Sequence, residues 1–259
     1  MILKLLVVIY NKKLEVNVAV NSVKESQRTF ENFDVIVWDN SDDEKILEQN
    51  QSYATNNNIT YRTEKKNCPL SYVYNKIINE NKLDFIIISD DDTVYNRVYF
   101  AELEQELQRD YLVHIPQIYV NGALKSPARM GIVVGKHLNS INPGLHPKLL
   151  AITSGMVINR KLCDIFSPLF DESLNLYGID TDFFINLSKL NIPVNVLNTK
   201  LEHDMSMYDD GIVLSKREKL SNFRYVNSKK ATIYINFKRS IIHGYLAKVY
   251  YFLYERLKA

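Results

Sequence analysis

The chain has few cysteines and no long apolar run, and each shortage excludes a class of protein. Its 259 residues include two cysteines, Cys68 and Cys163, which lie far apart and match no metal-binding or redox spacing. We therefore expect reduced thiols and a cytoplasmic protein. No stretch approaches the roughly 20 apolar residues that a membrane-spanning helix needs, so we expect no segment that crosses a membrane.

The chain also has no internal repeats and no low-complexity tracts, and we expect no signal peptide. Its first residues, MILKLLVVIYNKK, have no basic leader and no small-residue cleavage site, and the short apolar run is typical of a first buried strand. Hydrophobic residues make up 46% of the chain and charged residues 24%, which is ordinary for a globular protein. The length predicts one large α/β domain, or one domain with an appendage.

Charge is unevenly distributed along the chain. Residues 216–259 contain eleven lysines and arginines against Glu218 and Glu255, a net charge of +9. Because the whole chain carries +2, the preceding body carries −7. An acidic body with a basic tail predicts that the two parts meet different partners, and the acidic body argues against binding to nucleic acid.

The first third of the chain alternates buried-strand and helical patterns. Strands are predicted at 2–10, 33–38, 59–62 and 85–89, and helices at 15–28, 46–57 and 70–81. Short connections in the order β-α-β-α-β-α-β are typical of a parallel sheet with helices on both faces.

One of these strands ends in three consecutive acids. Residues 85–93 read FIIISDDDT, a buried parallel strand that delivers carboxylates to the carboxyl edge of the sheet. Asp90 and Asp92 could bridge a divalent cation to a phosphate-bearing substrate. The alternative is a solvated turn whose aspartates cap the next helix.

The second part of the chain is less regular. A helix is predicted over 101–108, strands over 111–120 and 151–160, a helix within 176–190 and a strand over 194–197. Residues 123–150 are predicted to be irregular, and a long irregular stretch within a domain is usually functional. Polar groups follow the strands at Tyr10-Asn11, Asp39 to Ser41, Asp90 to Asp92 and His203-Asp204, so we expect one cleft for a charged, polyoxygenated ligand.

Seven motifs in a specific order connect these groups to a known family. They are VVIYN, VWDNS, NCPLSYVYN, IIISDDDT, TSGMVINR, YGIDTDFF and LEHDMS, and the resemblance that they carry runs over about residues 2–204. Together they resemble family 2 glycosyltransferases with the GT-A fold, in particular bacterial rhamnosyltransferase-like members that build polysaccharides. The resemblance implies a mixed, mainly parallel Rossmann-like sheet flanked by helices, with a C-terminal helical extension. The expected domains are a catalytic domain over 1–210, with halves at 1–95 and 96–210, and a basic helical tail over 211–259.

The resemblance also implies roles for residues on the nucleotide side. Tyr10 and Asn11 would border the nucleotide of a nucleoside-diphosphate sugar, either UDP- or dTDP-linked. Asp39 would accept a hydrogen bond from the base. Asn67 and Asn75 match a motif of the form N-x-G-x-S-x-A-x-N, although proline replaces its glycine and valine its alanine here.

Roles at the reacting centre follow from the same resemblance. Asp90 and Asp92 would hold Mg²⁺ or Mn²⁺ on the diphosphate, and His203 could complete the metal site. Asp91, with Ser154 and Gly155, would lie near the donor sugar and the acceptor.

The family's catalytic base, which deprotonates the acceptor hydroxyl in an inverting transfer, falls on Asp180. Asp182 is the competing base near the acceptor, or alternatively an N-terminal cap of the following helix.

The tail predicts a further partner. Ile242, Leu246, Val249 and Leu253 lie on one helical face with tyrosines and basic residues around them, a composition that an anionic cytoplasmic leaflet attracts. The alternatives are a helix packed on the catalytic domain and a homodimer contact. A tail at the membrane would place the protein on the inner face of the plasma membrane, with a lipid-linked saccharide acceptor for capsule, O-antigen or cell-wall synthesis.

Two other functions fit parts of the sequence. A sugar nucleotidyltransferase shares the general fold, but it usually carries a glycine-rich loop after the first strand, where this chain reads YNKKLEV. A non-catalytic carbohydrate- or metal-binding module would not need candidates for both metal ligation and a base.

Overall fold

A computed structural model of the protein describes residues 1–202 and 222–258. The strands are β1 (Leu3–Ile9), β2 (Phe33–Asp39), β3 (Thr60–Thr63), β4 (Phe85–Ser89), β5 (Val113–Val120), β6 (Ala123–Ser126), β7 (Ala128–Arg129), β8 (Lys136–His137), β9 (Gly144–His146), β10 (Leu149–Leu150), β11 (Met156–Asn159) and β12 (Val194–Glu202). The helices are α1 (Val18–Ser26), α2 (Glu44–Asn56), α3 (Leu70–Glu80), α4 (Arg97–Glu106), α5 (Leu162–Ile165), α6 (Ile179–Lys189), α7 (Phe223–Arg239) and α8 (Ile241–Lys258).

The first four strands form the parallel half of the central sheet. They lie in the order β3-β2-β1-β4, and each pairing is parallel. Val7 of β1 is in register with Ser89 of β4, and Ile9 of β1 is in register with Asp39 of β2. The ends of these three strands therefore meet at one edge of the sheet, where the FIIIS run delivers its aspartates. The predicted alternation of strands and helices is confirmed.

The second half makes the sheet mixed. β11 lies between β4 and β5 and is antiparallel to both, whereas β12 is parallel to β5. Among the described residues the sheet has nine strands, in the order β3-β2-β1-β4-β11-β5-β12-β9 with β6 beside β5. This arrangement confirms the predicted mixed, mainly parallel sheet.

The segment predicted to be irregular, 123–150, contains short strands instead. β6 and β9 join the central sheet, and β7, β8 and β10 form a small sheet of their own. These strands have two to four residues each. Strands of this length are too short to show the alternation of apolar and polar residues from which a sheet is predicted.

Helix α1 illustrates how a capping residue sets a boundary. The helix was expected from residue 15, but residues Leu14–Val16 form a single 3-10 turn and α1 begins at Val18. The side chain of Asn17 accepts a hydrogen bond of 2.9 Å from the backbone N–H of Val20. This contact satisfies one of the free N–H groups at the helix start.

The sheet separates two hydrophobic cores. One face of β1 and β4 presents Leu6, Ile86 and Ile88, which pack with α3, α6 and α7. The opposite face presents Leu5 and Ile87, which pack with α1 and α4. Alternation along each buried strand thus fills both faces, as a three-layer α/β domain requires.

The C-terminal helices do not form a detached tail. Ala231 and Ile235 of α7 are buried in the same core as α3 and α6. α8 packs on α7 through Ala247 and Tyr251. In residues 1–202 and 222–258, no helix is both long enough and apolar enough to cross a membrane.

Candidate active site

Asp90 lies where β4 ends, next to the turn that precedes β11. Because β11 is antiparallel to β4, with Met156 opposite Ile88, residues just before β11 neighbour residues just after β4. The hydroxyl of Ser154 donates a hydrogen bond to Oδ2 of Asp90, and the N–H of Gly155 donates to the carbonyl of Ile88 over 2.9 Å. The Ser154-Gly155 turn therefore lies against the end of β4 that carries Asp90.

Only glycine fits at position 155. Its φ is +72°, in the left-handed region that L-residues rarely adopt. A Cβ atom there would lie 3.0 Å from Cγ of Pro116 and 3.3 Å from Cδ1 of Leu201. The carbonyl of Gly155 also accepts a 2.7 Å hydrogen bond from the buried hydroxyl of Tyr99, which holds the turn against the sheet.

Asp91 pairs with Lys12, a residue that belongs to none of the sequence motifs. Nζ of Lys12 lies 2.6 Å from Oδ2 of Asp91, and the lysine is 44% exposed. Lys12 follows Asn11, whose φ of +50° turns the chain at the end of β1. The sequence feature that could have identified Lys12 is its position directly after the Tyr10-Asn11 strand end.

Asp180 is the second residue of α6 and is half-buried. Its Oδ1 accepts hydrogen bonds from the backbone N–H of Thr181 over 2.6 Å and from the Thr181 hydroxyl over 3.3 Å. Burial raises the pKa of the Asp180 carboxyl to about 6, the hydrogen bonds from Thr181 oppose this, and the charge of Asp90 adds to it. Asp90 and Asp180 therefore lie close enough to interact electrostatically.

Tyr74 of α3 belongs to the same cluster. Burial, followed by the charges of Asp90 and Asp180, raises the pKa of its hydroxyl, so this group stays neutral at physiological pH. The helical spacing of 70–81 identified Tyr74 only as an apolar position. Its place beside two carboxylates depends on how α3 packs, which no spacing rule predicts.

Helix α7 packs directly on the start of α6. Gly178 precedes α6 with a φ of +79°, and a Cβ atom there would lie 2.6 Å from Cδ1 of Ile235 and 3.2 Å from Cβ of Ala231. The glycine thus allows α7 to approach the helix end that carries Asp180.

Asp182 makes a structural contact and does not cap the helix. It is the fourth residue of α6, and the capping position belongs to Gly178. Asp182 is 1% exposed, and its Oδ2 lies 2.7 Å from Nζ of Lys238 and 3.1 Å from Nδ2 of Asn186. Since Lys238 also lies 2.7 Å from Oδ2 of Asp171, Asp182 connects α6 to α7. This geometry does not favour the predicted donor or acceptor contact.

Replacing Lys238 by methionine should destabilise the fold. It would leave the carboxylate of Asp182 buried without its cation, and we expect a loss of roughly 2–4 kcal/mol of unfolding free energy. The figure is below that for a wholly buried pair because Lys238 is 34% exposed. Urea denaturation measures the change, with Lys230→Met of the same helix as control. If Lys238→Met/Asp182→Asn is no more stable than Lys238→Met, the destabilisation does not come from the unpaired carboxylate.

The nucleotide-side residues Tyr10 and Asn11 lie at the strand-end edge. Tyr10 is 46% exposed, and the N–H of Asn11 donates a 2.7 Å hydrogen bond to Oγ of Ser41. This contact joins the end of β1 to the loop after β2. An exposed tyrosine on a fixed turn can stack against a planar base.

Asp39 does not face this edge in the way that the resemblance implied. It is fully buried, and its two carboxylate oxygens accept hydrogen bonds from the N–H of Ser41, the amide of Asn50 and the hydroxyl of Tyr61, at 3.0, 2.7 and 2.8 Å. A carboxylate with three protein donors and no exposed surface holds the β2 end in place. A contact between Asp39 and a base does not follow from this geometry.

Asn67 and Asn75 have different surroundings despite their shared motif. Asn67 is exposed, and its Oδ1 accepts a 3.2 Å hydrogen bond from Asn40. Asn75 is buried and bonds to both backbone groups of Phe170, over 2.8 Å to the carbonyl and 3.1 Å from the N–H. Asn75 therefore joins α3 to the segment before α6, a contact that its motif did not predict.

The metal assignment rests on two of its three predicted ligands. His203 lies outside the described residues, and within 1–202 and 222–258 no group of three or more His, Cys, Asp or Glu side chains could hold an ion. Asp90 and Asp92 supply hard oxygen donors, which fit Mg²⁺ or Mn²⁺ when substrate phosphates provide further ligands. The negative charge of Asp90 contributes to the raised pKa of Asp180. A cation bound at Asp90 would offset this charge.

Comparisons with solved structures find the same fold. GalNAc-T7, crystallised with UDP, GalNAc and Mn²⁺, superimposes with a TM-score of 0.61 at 14% identity, over 78% of this chain and 43% of that one. Residues 1–349 of S. aureus TarS superimpose with a TM-score of 0.56 at 16% identity, over 92% of this chain and 65% of that one. The same TarS fragment with UDP-GlcNAc gives 0.55 at 16% identity, with 92% and 66% covered.

The chain thus spans less than two thirds of the length of these neighbours. A search of curated protein sequences found no match. The family model described as Glycosyl transferase family 2 matches residues 5–164, well over half of the chain, including the strand-end aspartates and the Ser154-Gly155 turn. The chain belongs to glycosyltransferase family 2.

Proposed function

We propose that the protein transfers a sugar, with inversion, from a nucleoside-diphosphate sugar to a saccharide acceptor. The observation that carries this proposal is the Asp180 carboxyl, whose pKa is about 6, beside the strand-end Asp90. Such a pKa lets a carboxylate act as a base near neutral pH and still bind a proton effectively. The UDP in the GalNAc-T7 structure and the UDP-GlcNAc in the TarS structure support a UDP-linked donor, with a dTDP-linked donor as the alternative.

Asp180 is the proposed general base. Its carboxylate accepts the proton of the acceptor hydroxyl as that oxygen forms a bond to the anomeric carbon of the donor. The bond from this carbon to the diphosphate breaks on the opposite face, and the nucleoside diphosphate leaves with the bonding electrons. One inversion at the anomeric carbon follows, and the proton remains on Asp180 until product release.

Asp90 and Asp92 are the proposed ligands of a divalent cation. When bound, Mg²⁺ or Mn²⁺ supplies charge neutralisation for the leaving diphosphate. The Mn²⁺ in the GalNAc-T7 structure supports this choice of cofactor. The hydroxyl of Ser154, bonded to Asp90, orients that carboxylate, and Lys12 offsets the charge of Asp91.

Donor hydrolysis tests the proposal against its alternatives. The purified protein, incubated with Mn²⁺ and a panel of sugar nucleotides, should release nucleoside diphosphate and free sugar at a slow rate without an acceptor. A sugar nucleotidyltransferase, supplied with sugar phosphate and nucleoside triphosphate, would release pyrophosphate instead. The proposed reaction would be wrong if neither nucleoside diphosphate nor free sugar were released from any UDP- or dTDP-linked donor.

We also propose that α8 binds the inner membrane surface, where a lipid-linked acceptor would be presented. Four apolar residues of one face, Ile242, Leu246, Val249 and Leu253, are each at least 42% exposed. Exposed Lys248 and Arg256 lie over the rings of Phe237 and Phe252, at 5.1 and 4.4 Å. An apolar face with basic residues beside it fits an anionic lipid surface.

Part of the basic tail serves the fold instead. Lys229 pairs with Glu255 over 2.6 Å, and Lys238 pairs with two acids of the catalytic domain. α7 thus packs on the body of the protein. The membrane proposal concerns α8, the helix for which intramolecular packing and a homodimer contact are the alternatives. A role in capsule, O-antigen or cell-wall synthesis and the rhamnosyltransferase-like subtype both stay predictions.

Binding to vesicles tests the membrane proposal. Ile242→Glu/Leu253→Glu should weaken co-sedimentation with phosphatidylglycerol vesicles by about tenfold or more, because each side chain loses its burial in the interface. Val98→Glu provides a matched control, since Val98 is a 65% exposed residue on α4. Wild-type binding no greater than that of the double variant would overturn the proposal. A shift of the wild type alone to a dimer in analytical ultracentrifugation would instead assign this face to a homodimer.

A further inference from the structure

A cavity outside the carboxylate cluster lies between residues 173–177 and helix α7. Its volume is about 460 Å³, within the range of small-molecule sites. Three aromatic side chains line it: Tyr177 from the segment before α6, and Phe223 and Tyr234 from α7. None of the reaction steps proposed above uses these residues.

The cavity is close to the start of α6. Tyr177 directly precedes Gly178, and Ala231, another lining residue, packs against Gly178. Asp180 follows two residues later as part of the same helix start. The cavity therefore lies beside the segment that leads into the proposed base, on the side of α6 that faces α7.

Two of the three aromatic side chains that line the cavity are exposed. Phe223 is 71% exposed and Tyr234 is 42% exposed, although both border a concave site. The rings of Tyr177 and Phe223 meet at 60° with 6.5 Å between their centroids, so they form two walls of a corner. Exposed ring faces of this kind suit the apolar C–H face of a sugar ring, which combines an apolar surface with hydroxyls at its edge.

The lining of the cavity also contains hydrogen-bonding groups and a positive charge. Asn175 and Asn227 supply amide groups, and Lys230 supplies the only charged side chain among the lining residues that the structure describes. No described carboxylate forms a salt bridge with Lys230, and the side chain is exposed. A cation that pairs with no carboxylate in residues 1–202 and 222–258 favours a ligand that carries a negative charge.

We infer that this cavity binds the saccharide acceptor, and that it prefers a sugar bearing a phosphate or carboxylate group. Sugar rings stack on Phe223 and Tyr177, and the anionic group pairs with Lys230. The inference rests on the proposed function, because only a transferase needs a second saccharide site beside its base. It adds the acceptor's chemical class and gives α7 a direct part in recognition.

Ligand-observed NMR tests the inference with three sugars: glucose, glucuronic acid and glucose 6-phosphate. With wild-type protein, one or both anionic sugars should give saturable saturation-transfer signals, stronger than those of glucose. Phe223→Ala should raise the dissociation constant by about fivefold to tenfold through the lost ring contact. Lys230→Met should remove the preference for the anionic sugar. The two anionic probes distinguish a phosphate from a carboxylate as the recognised group.

Two exposed residues of α8 provide matched controls. Phe252→Ala and Lys248→Met remove a ring and a cation outside the cavity, and both should bind the sugars as the wild type does. The inference is wrong if none of the three sugars binds saturably, or if Phe223→Ala binds them as tightly as Phe252→Ala.

Donor hydrolysis separates this inference from the proposed function. Phe223→Ala and Lys230→Met should release nucleoside diphosphate at the wild-type rate without an acceptor, because neither residue belongs to the carboxylate cluster. Normal hydrolysis with unchanged sugar binding would overturn the cavity assignment alone. Absent hydrolysis in the wild type would overturn the proposed function itself.

Discussion

Asp180→Asn is expected to lower kcat for sugar transfer by about 10²- to 10⁴-fold, the usual contribution of a general base. The amide has nearly the same shape, and its oxygen can still accept the hydrogen bond from the N–H of Thr181, so the fold should persist. What it cannot do is accept the proton of the acceptor hydroxyl. Initial rates at saturating donor and acceptor measure the change.

The pH dependence gives a second readout of the same residue. In the metal-free protein, Asp180 should titrate near pH 6, which NMR of ¹³C-labelled aspartate measures. A base works only when deprotonated, so transfer activity should fall as the pH drops through this pKa. Mg²⁺ or Mn²⁺ should lower the midpoint, because a cation offsets the charge of Asp90. A midpoint that lies near 4 without metal would contradict the proposed environment of Asp180.

As the pH falls, the contribution of Asp180 to stability should improve while transfer activity declines. The pKa of Asp180 is raised in the folded state above its ordinary value near 4, so folding favours the protonated carboxyl and disfavours the carboxylate. Above pH 6 the wild type carries this cost in full, and below pH 4 it carries none. Asp180→Asn should therefore raise the Tm by a few degrees at pH 8 and lose that advantage at pH 4.

Asp164→Asn is the matched control. Asp164 is an exposed aspartate in the first turn of α5, a position similar to that of Asp180 in α6. Its substitution should leave both kcat and the pH profile unchanged. Full transfer activity in Asp180→Asn would remove Asp180 from the mechanism.

Asp90→Asn should lower the rates of both transfer and donor hydrolysis by on the order of 10²-fold or more. The substitution removes a negative ligand of the proposed cation, so the remaining activity should also need more Mn²⁺ for half-maximal rate. The amide oxygen can keep the hydrogen bond from Ser154, which should preserve the turn before β11. Activity measured against Mn²⁺ concentration tests both effects.

The same substitution should change the titration of Asp180. Burial is the largest cause of the raised pKa of Asp180, and the charge of Asp90 adds to it. Asp90→Asn should therefore lower this pKa from about 6, while burial still holds it above its ordinary value. Asp110→Asn is the control, because Asp110 is an 80% exposed aspartate whose partner is Lys161. If Asp90→Asn has a wild-type kcat and a wild-type Mn²⁺ requirement, Asp90 does not bind the cation.

Much of the first half of the fold follows from local pattern. Three apolar runs and one short, more polar strand, with helical segments between them, predict a parallel sheet, because such strands need crossover helices to bury both faces. The position of Asp90 at the carboxyl edge follows from this pattern as well. The short strands within 123–150 escape prediction, since two to four residues carry no periodic signal.

Side-chain environments at the site could be predicted less well. Asp39 and Asp90 both end parallel strands, yet Asp39 is fully buried and saturated by three donors, whereas Asp90 meets Ser154. The difference comes from the neighbours: Asn50 and Tyr61 close over one strand end, and the β11 turn packs beside the other. Strand position is a local property, but the neighbours of a side chain are set by packing.

By itself, the sequence determined the class of fold, the edge at which polar groups collect and the family to which the chain belongs. Only the tertiary structure decided which of those groups meet. Lys238 contacts Asp182, which is 56 residues away in the chain. Asp90, at the end of β4, affects the pKa of Asp180, which lies in α6. Such contacts leave no periodic trace in the sequence, because they arise where separate elements pack and where burial strengthens the interaction between charges.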